Sequence, residues 1–504
     1  MLKTNLFSNP RKLFYFTMAT TLVIRLLVAA FLPIIGDEAY FILWARNPDY
    51  GYYDHTPMVG WMLTALLSIS DHPLWLRLPT VLILTLTGWV IYRLLRDRDP
   101  DSAAYAGIFY LLMPVNVIGV LVLTDTPLIL WSFLSALAFY QSQRQDSYGW
   151  YVLAGLFLGL AFYSKYFAVL LGFTYLFYLL LFVRRGVRPY IGLLLLVLAC
   201  LPFVILNLVW NYYHCWDNYL FNLFNRTQGT HWSSITLLKY LGWLLYLITP
   251  PVLYYIVRQY RQTWRKVTTD KYGIFLLLFL LPILMLLFIS TWKSVGLHWL
   301  FSFLPMLAMG LVVLLDARQF RICCYFMLPY SMLHVIAIFI LLAFSHDIFR
   351  NNEGVYQDIV FGFEQQEILA QLKPYLDDYR LATTSYSESA LLSYSQRKHV
   401  LVLGNGSYHG RQDDLLTDFR KLNGGNIIIF DYNDSVKKYS RYFEKFDVYP
   451  MMVKGMKFYY ALGQGFKYPR YHTEVLVGVM NSFYKIPDGL PVGACYMFDR
   501  YAAE

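Results

Sequence analysis

Between Gly36 and Pro57 the chain crowds four carboxylates (Asp37, Glu38, Asp49 and Asp54), the imidazole of His55 and four tyrosines, directly after an apolar run. Ionisable side chains next to membrane spans are costly, and their default reading is functional. Further ones stand in short segments between later apolar runs. They are Asp125 in Thr124-Asp125-Thr126-Pro127, Lys165 in Tyr163-Ser164-Lys165-Tyr166, Arg226 in Asn225-Arg226-Thr227, and Lys293 and His298 between Trp292 and Trp299. Carboxylates in such a set can take the proton of a hydroxyl nucleophile. The cations can hold a phosphate or diphosphate and stabilise it as it leaves. Plainer roles compete with each of these. Asp37-Glu38 and Asp125 suit helix caps, Lys165 can snorkel, and the tyrosines and tryptophans suit an interfacial aromatic belt. Arg25, in mid-span, calls for snorkelling or an internal partner.

The elements that must position these groups are apolar. The 504 residues are 58% hydrophobic, 19% aromatic and only 15% charged, which excludes an ordinary soluble domain. Apolar runs long enough to cross ~30 Å of hydrocarbon recur along roughly the first 345 residues. The pattern predicts eleven spans, at about 13–35, 78–95, 103–122, 126–141, 150–164, 167–183, 190–210, 236–257, 273–291, 300–316 and 323–345. Segment 57–70 is apolar but short, and reads as a helix lying along the membrane surface. The first span follows Lys3, Arg11 and Lys12 and lacks a small-residue cleavage site, so it reads as an anchor rather than a signal peptide.

Residues 347–504 hold 18 basic and 19 acidic side chains, a balance of −1, and the remaining 24 basic and 13 acidic residues carry +11, which together make the net +10. That basic excess lies between spans, which fits membrane topology and not nucleic-acid binding. With the eleven spans, one side receives Lys3, Arg11, Lys12, Arg93, Arg96, Arg98, Arg144, Arg184, Arg185, Arg188, Arg258, Arg261, Arg265, Lys266, Lys271, Arg318 and Arg321. The other receives Arg46, Arg77, Lys165, Arg226, Lys239 and Lys293. The positive-inside rule then places the N-terminus in the cytoplasm, and the Gly36–Pro57 loop and the tail on the outer face. All the candidate residues fall at that outer edge, where they could line one cavity.

The tail changes character. His399–Leu403 and Asn426–Phe430 read as strands, and Asp413–Leu422 between them has helical spacing closed by Asn423-Gly424-Gly425. The expected architecture is an α-helical polytopic membrane domain over residues 1–346 and a small α/β domain over 347–504. Gly404-Asn405-Gly406 lacks the full GxGxxG pattern and reads as a tight turn ahead of a phosphate loop. The five cysteines show neither CxxC nor metal-ligand spacing, and Cys323-Cys324 reads as small hydrophobic packing.

The order and spacing of four blocks resemble those of the C-type membrane glycosyltransferases, which take sugars from polyprenyl phosphates. The resemblance is to the branch holding the protein mannosyltransferases, the lipid A aminoarabinose transferases and the lipid A and core galacturonosyltransferases. The blocks are Gly36-Asp37-Glu38-Ala39-Tyr40, Gly51-Tyr52-Tyr53-Asp54-His55-Thr56-Pro57, Leu123-Thr124-Asp125-Thr126-Pro127-Leu128 and Gly159-Leu160-Ala161-Phe162-Tyr163-Ser164-Lys165-Tyr166. The resemblance implies that Asp37, with Glu38 beside it, is the catalytic carboxylate that activates or orients the attacking hydroxyl. It implies substrate contacts from Tyr53, Asp54, His55, Asp125, Lys165, Arg226, Lys293 and His298. His55 stands where the aminoarabinose transferases carry lysine, and would contact the lipid phosphate with Arg226. No metal site carries over, because Phe224 and Asn225 stand where those enzymes have a Glu-His pair. A divalent cation is the one cofactor left open. The implied partners are a polyprenyl-phosphate-linked sugar donor, a glycolipid or glycan acceptor such as lipid A or its core, and membrane lipids. The implied setting is a monomer in a bacterial inner membrane. A protein O-mannosyltransferase-like acceptor is the alternative within the family. A secondary transporter or lipid flippase should show inverted repeats and mid-membrane charges, and the chain has no internal repeat. A scaffold or receptor would tolerate loss of Asp37.

Overall fold

A computed structural model of the protein describes residues 9–145, 147–182 and 186–502. Of the basic residues tallied above, Lys3, Arg184 and Arg185 lie outside the described residues, as does the side chain of Arg261. Contacts group the chain into two units. One comprises 1–31, 70–205 and 229–340. The other comprises 32–69, 206–228 and 341–504, so the first polar loop and the segment around Arg226 are grouped with the C-terminal part.

The first unit is helical. All eleven expected spans carry helix, but among the described residues five helices are long and apolar enough to cross a membrane: Pro10–Phe31, Pro73–Leu95, Arg188–Tyr213, Leu297–Leu314 and Ala317–Phe349. Prolines account for part of the difference. The expected span 236–257 is the pair Ser234–Ile248 and Pro250–Arg258, bent by 93°. Thr249 has ψ 148° there, as a residue before proline is driven out of the α region. The expected span 103–122 stops at Leu112 in the same way, with Met113 extended ahead of Pro114. Tyr148–Phe162, Ala168–Phe182 and Gly273–Ile289 are shorter apolar helices, as is Met58–Leu67 in the second unit. Two buried arginines of the helical unit find acceptors inside it. Arg25 is fully buried and donates to the Asn116 carbonyl at 3.0 Å and to Thr85 Oγ1 at 2.8 Å, so the internal partner is the correct reading. Arg77 donates to the Ala29 carbonyl at 3.0 Å.

The second unit holds a five-stranded sheet, with β1 Arg380–Thr383, β2 Leu401–Val402, β3 Ile427–Asp431, β4 Lys445–Val453 and β5 Met456–Gln464. The order is β2-β1-β3-β5-β4. β2, β1 and β3 run parallel, and β5 and β4 continue the sheet antiparallel. β3 is buried at every position, as the run Ile427-Ile428-Ile429-Phe430 requires. The two expected strands thus exist without pairing to each other, since β1 lies between them. The expected helix Asp413–Leu422 is broken. Gln412–Leu416 ends where Thr417 turns extended, and Asp418 caps a separate 3₁₀ turn over Phe419–Leu422. Pro450 sits in β4, the edge strand, where a missing N–H costs little.

Candidate active site

The helix Gly36–Arg46 opens the polar stretch, with Asp37 and Glu38 in its first turn. Negative charge there is favoured by the unpaired N–H groups of the helix start. Glu38 is buried, and its Oε2 accepts from the backbone N–H of Ile35 at 3.4 Å. Asp37 faces outward on the adjacent position. The helix can approach its neighbour because Gly36 has no Cβ, for an added one would lie 1.9 Å from Ser387 Oγ. Asp37 and Glu38 therefore divide their roles: Glu38 ties the helix start down, and Asp37 remains open to solvent. Surrounding protein, and then repulsion from Glu38, raise the Asp37 carboxyl above its usual range.

The closing element, Gly51–Pro57, is a tight loop whose Tyr52 N–H donates to the His55 carbonyl at 3.0 Å. It buries Asp54, whose Oδ1 accepts from the Tyr40 hydroxyl at 3.0 Å and whose Oδ2 accepts from the Gly410 N–H at 3.2 Å. The Tyr40 oxygen in turn accepts from the Gln412 N–H at 3.1 Å, while Gln412 Oε1 accepts from the Tyr53 N–H at 2.8 Å. Burial first, and the charge of Asp37 in addition, push the Asp54 carboxyl up to about 6. Gly410 is required on two counts. Its φ is +67°, where glycine is favoured, and an added Cβ would meet the Tyr386 ring at 2.1 Å. Tyr386 also packs edge-on against Tyr40, with centroids 5.2 Å apart.

The segment 206–228 supplies the opposite wall of the same unit. Asn218 donates to the Tyr52 carbonyl, and Asn222 donates to the Asp54 carbonyl at 3.2 Å. Asn225 Nδ2 reaches the Tyr53 hydroxyl at 3.5 Å and the Phe483 carbonyl at 3.0 Å. Phe221 presents its ring to Tyr53, His55 and His409. The Arg226 guanidinium lies 5.9 Å from the Phe221 ring centre. Burial, followed by the Arg226 charge, lowers the His409 imidazole below its ordinary value. A disulfide between Cys215 and Cys495 fastens this segment to the C-terminal end across 280 residues of sequence. Thus Asp37, Glu38, Tyr53, Asp54, His55 and Arg226 gather in one unit. Tyr40, Gly410 and Gln412 hold Asp54 and Tyr53 in place, and Tyr386 packs on Tyr40.

The helical unit contains the other candidates. Asp125 starts the helix Asp125–Gln145, and both its oxygens accept from Lys165 Nζ, at 3.0 and 2.9 Å. Both residues are buried, so Lys165 is engaged by a carboxylate and does not simply snorkel. Its Nζ also lies 5.4 Å from the Phe167 ring centre, and Phe167 packs on Trp299 at 4.1 Å. His298 is exposed next to Trp299, and Lys293 is half-buried one turn beyond the helix Gly273–Ile289.

Residues 54–210 match the family of dolichyl-phosphate-mannose-protein mannosyltransferases. Over 208 residues the chain is 32% identical to the lipid A galacturonosyltransferase RgtD of Rhizobium johnstonii, a match that takes in 40% of this chain and 42% of that protein. The chain therefore aligns with less than half the length of this relative. The fold resembles that of ArnT from Cupriavidus metallidurans, both in the apo state and bound to undecaprenyl phosphate. Each comparison gives a TM-score of 0.61 at 14% identity, covering 89% of this chain and 97% of that one. In its family match, its relative and its fold the chain is thus similar to the GT-C membrane glycosyltransferases.

Proposed function

We propose that the protein transfers a sugar from a polyprenyl-phosphate donor to a hydroxyl of a glycolipid acceptor, lipid A or its core, on the outer face of the inner membrane. The observation that carries this reading is the presence, in one unit, of an outward-facing carboxylate, Asp37, and of a basic and aromatic wall in which His55 and Arg226 both lie against the Phe221 ring. Asp37 takes the acceptor hydroxyl's proton as its oxygen bonds to the anomeric carbon. The bond from that carbon to the phosphate oxygen breaks, and the lipid phosphate leaves with the electron pair. A single displacement of this kind inverts the anomeric centre. A base works best when its pKa approaches the ambient pH, so the upward shift of Asp37 favours the role. Arg226 and His55 stabilise the leaving phosphate. The similarity to RgtD and to ArnT supports both the donor and the acceptor class.

The outer-face placement is supported by the one-sided basic loops and by the Cys215–Cys495 disulfide, which suits an oxidising compartment. Mass spectrometry of lipid A from cells with and without the gene tests the reading. A mass difference of one sugar is expected, and identical spectra would remove lipid A as the acceptor.

A further inference from the structure

In the second unit β1 is followed by the helix Tyr386–Gln396 and then by β2 on one side of it, while β3 pairs on the other side. The strand order therefore reverses at β1. In sheets of parallel strands the crevice at the carboxyl ends beside such a reversal is the usual ligand site. Two cavities open there, of about 250 and 530 Å³, and Thr384, Gly404 and Gly406 line both.

Their chemistry differs. In the smaller cavity the charged groups are already neutralised. Asp413 accepts from His399 and from the Val402 N–H, and Asp414 accepts from Arg411 and Tyr484. What this cavity offers is hydroxyl and ring surface from Ser385, Ser407 and Tyr386. The Ser385 side chain caps nothing at the start of its helix. The larger cavity carries Lys438 and Arg441 against the single acid Glu474. Arg441 pairs with Glu474 at 3.2 Å, whereas exposed Lys438 makes no ion pair among the described residues. A neutral, hydroxyl-lined compartment joined to a compartment with one excess positive charge suits a saccharide that bears an anionic group. The smaller cavity is also walled by Gly410 and Tyr386, which hold Asp54 and Tyr40.

We propose that this cleft at the carboxyl ends of β1 and β2 is a second binding site, which receives the anionic saccharide of the acceptor. The inference deepens the glycosyltransferase reading and rests on it for the identity of the ligand, but not for the binding itself. The test uses the full-length chain in lipid nanodiscs and a water-soluble probe, the glucosamine disaccharide 1,4′-bisphosphate, titrated by saturation-transfer NMR. Ser385→Leu fills the smaller cavity, and Lys438→Glu reverses the free charge of the larger one. Each variant should weaken probe binding by about tenfold or more, with undecaprenyl phosphate binding unchanged. If the unphosphorylated disaccharide binds Lys438→Glu and the wild type equally, phosphate is the recognised anion. A glucuronic acid disaccharide that loses affinity in Lys438→Glu would instead assign the anion as carboxylate. Wild-type affinity for all three probes in both variants would overturn the proposal. Since Lys438 is a surface residue, its variant carries the test if Ser385→Leu fails to fold. Absence of sugar transfer by a wild type that still binds the probe would count against the proposed function alone.

Discussion

The hydroxyl of Tyr40 donates to Asp54 across 3.0 Å and accepts from the backbone of Gln412, 372 residues away, across 3.1 Å. One phenol thereby ties the helix carrying Asp37 to the loop carrying His55 and to the C-terminal α/β part. Tyr40→Phe removes a donor from Asp54 and strands a buried N–H, which costs about 1–3 kcal/mol. Because the lost hydrogen bond favours the ionised carboxylate, the Asp54 pKa should climb further above about 6. We expect transfer to fall by at least about tenfold through lost positioning, and the pH–rate profile to change because the Asp54 charge beside Asp37 is lost at a higher pH. A profile superimposable on the wild type would show that Tyr40 only fills space.

Asp54 makes a linked prediction about stability. Its folded-state pKa, about 6, lies above the ordinary 3.8, so the folded chain binds the proton more tightly than the unfolded one. The stabilisation is therefore fully present below about pH 4 and is lost as pH rises through about 6. The difference corresponds to roughly 3 kcal/mol at ~1.4 kcal/mol per unit. Asp54→Asn cannot titrate, so the wild type should gain melting temperature relative to this variant as pH falls from 7 to 4. A constant difference across that window would mean that Asp54 is not shifted.

Lys165 and Asp125 form a buried pair, and removing one partner leaves an uncompensated charge. Lys165→Ala should cost about 3–5 kcal/mol, whereas Asp125→Leu combined with Lys165→Met should recover most of it. Stability alone does not separate structure from donor binding. Undecaprenyl phosphate binding by the folded double variant does: loss of binding assigns Lys165 to the donor phosphate, and retained affinity makes the pair structural.

Much of this architecture was legible in the sequence because it rests on local patterns. Apolar runs marked the helices, and the density of charge after the first span marked the Gly36–Pro57 stretch. The strand Ile427–Asp431 was visible as an unbroken apolar run. The β4–β5 hairpin carries a local signal as well. Lys454-Gly455 joins two β-rich runs, and both residues take positive φ, as a two-residue turn requires. The parts that stayed hidden are non-local. Nothing near Tyr40 announces Gln412, nothing in the cysteine spacing pairs Cys215 with Cys495, and Asp125 and Lys165 each looked like a separate ligand until the fold joined them. The expected helix Asp413–Leu422 failed for a local reason, since apolar spacing continued through Thr417-Asp418 while Asp418 was already capping the next turn.

The most direct test of the mechanism is sugar transfer by purified full-length protein, wild type and Asp37→Asn, from a polyprenyl-phosphate-linked sugar to a lipid A acceptor, followed by mass spectrometry. Asp37→Asn removes the base with almost no change in shape at an outward-facing position, so the variant should insert, keep the wild-type melting temperature within about 1–2 °C and bind the donor. Transfer should drop by at least about a hundredfold, and the Asp54 pKa should fall once the neighbouring charge is gone. Wild-type turnover by Asp37→Asn would contradict the assignment of Asp37 as the base.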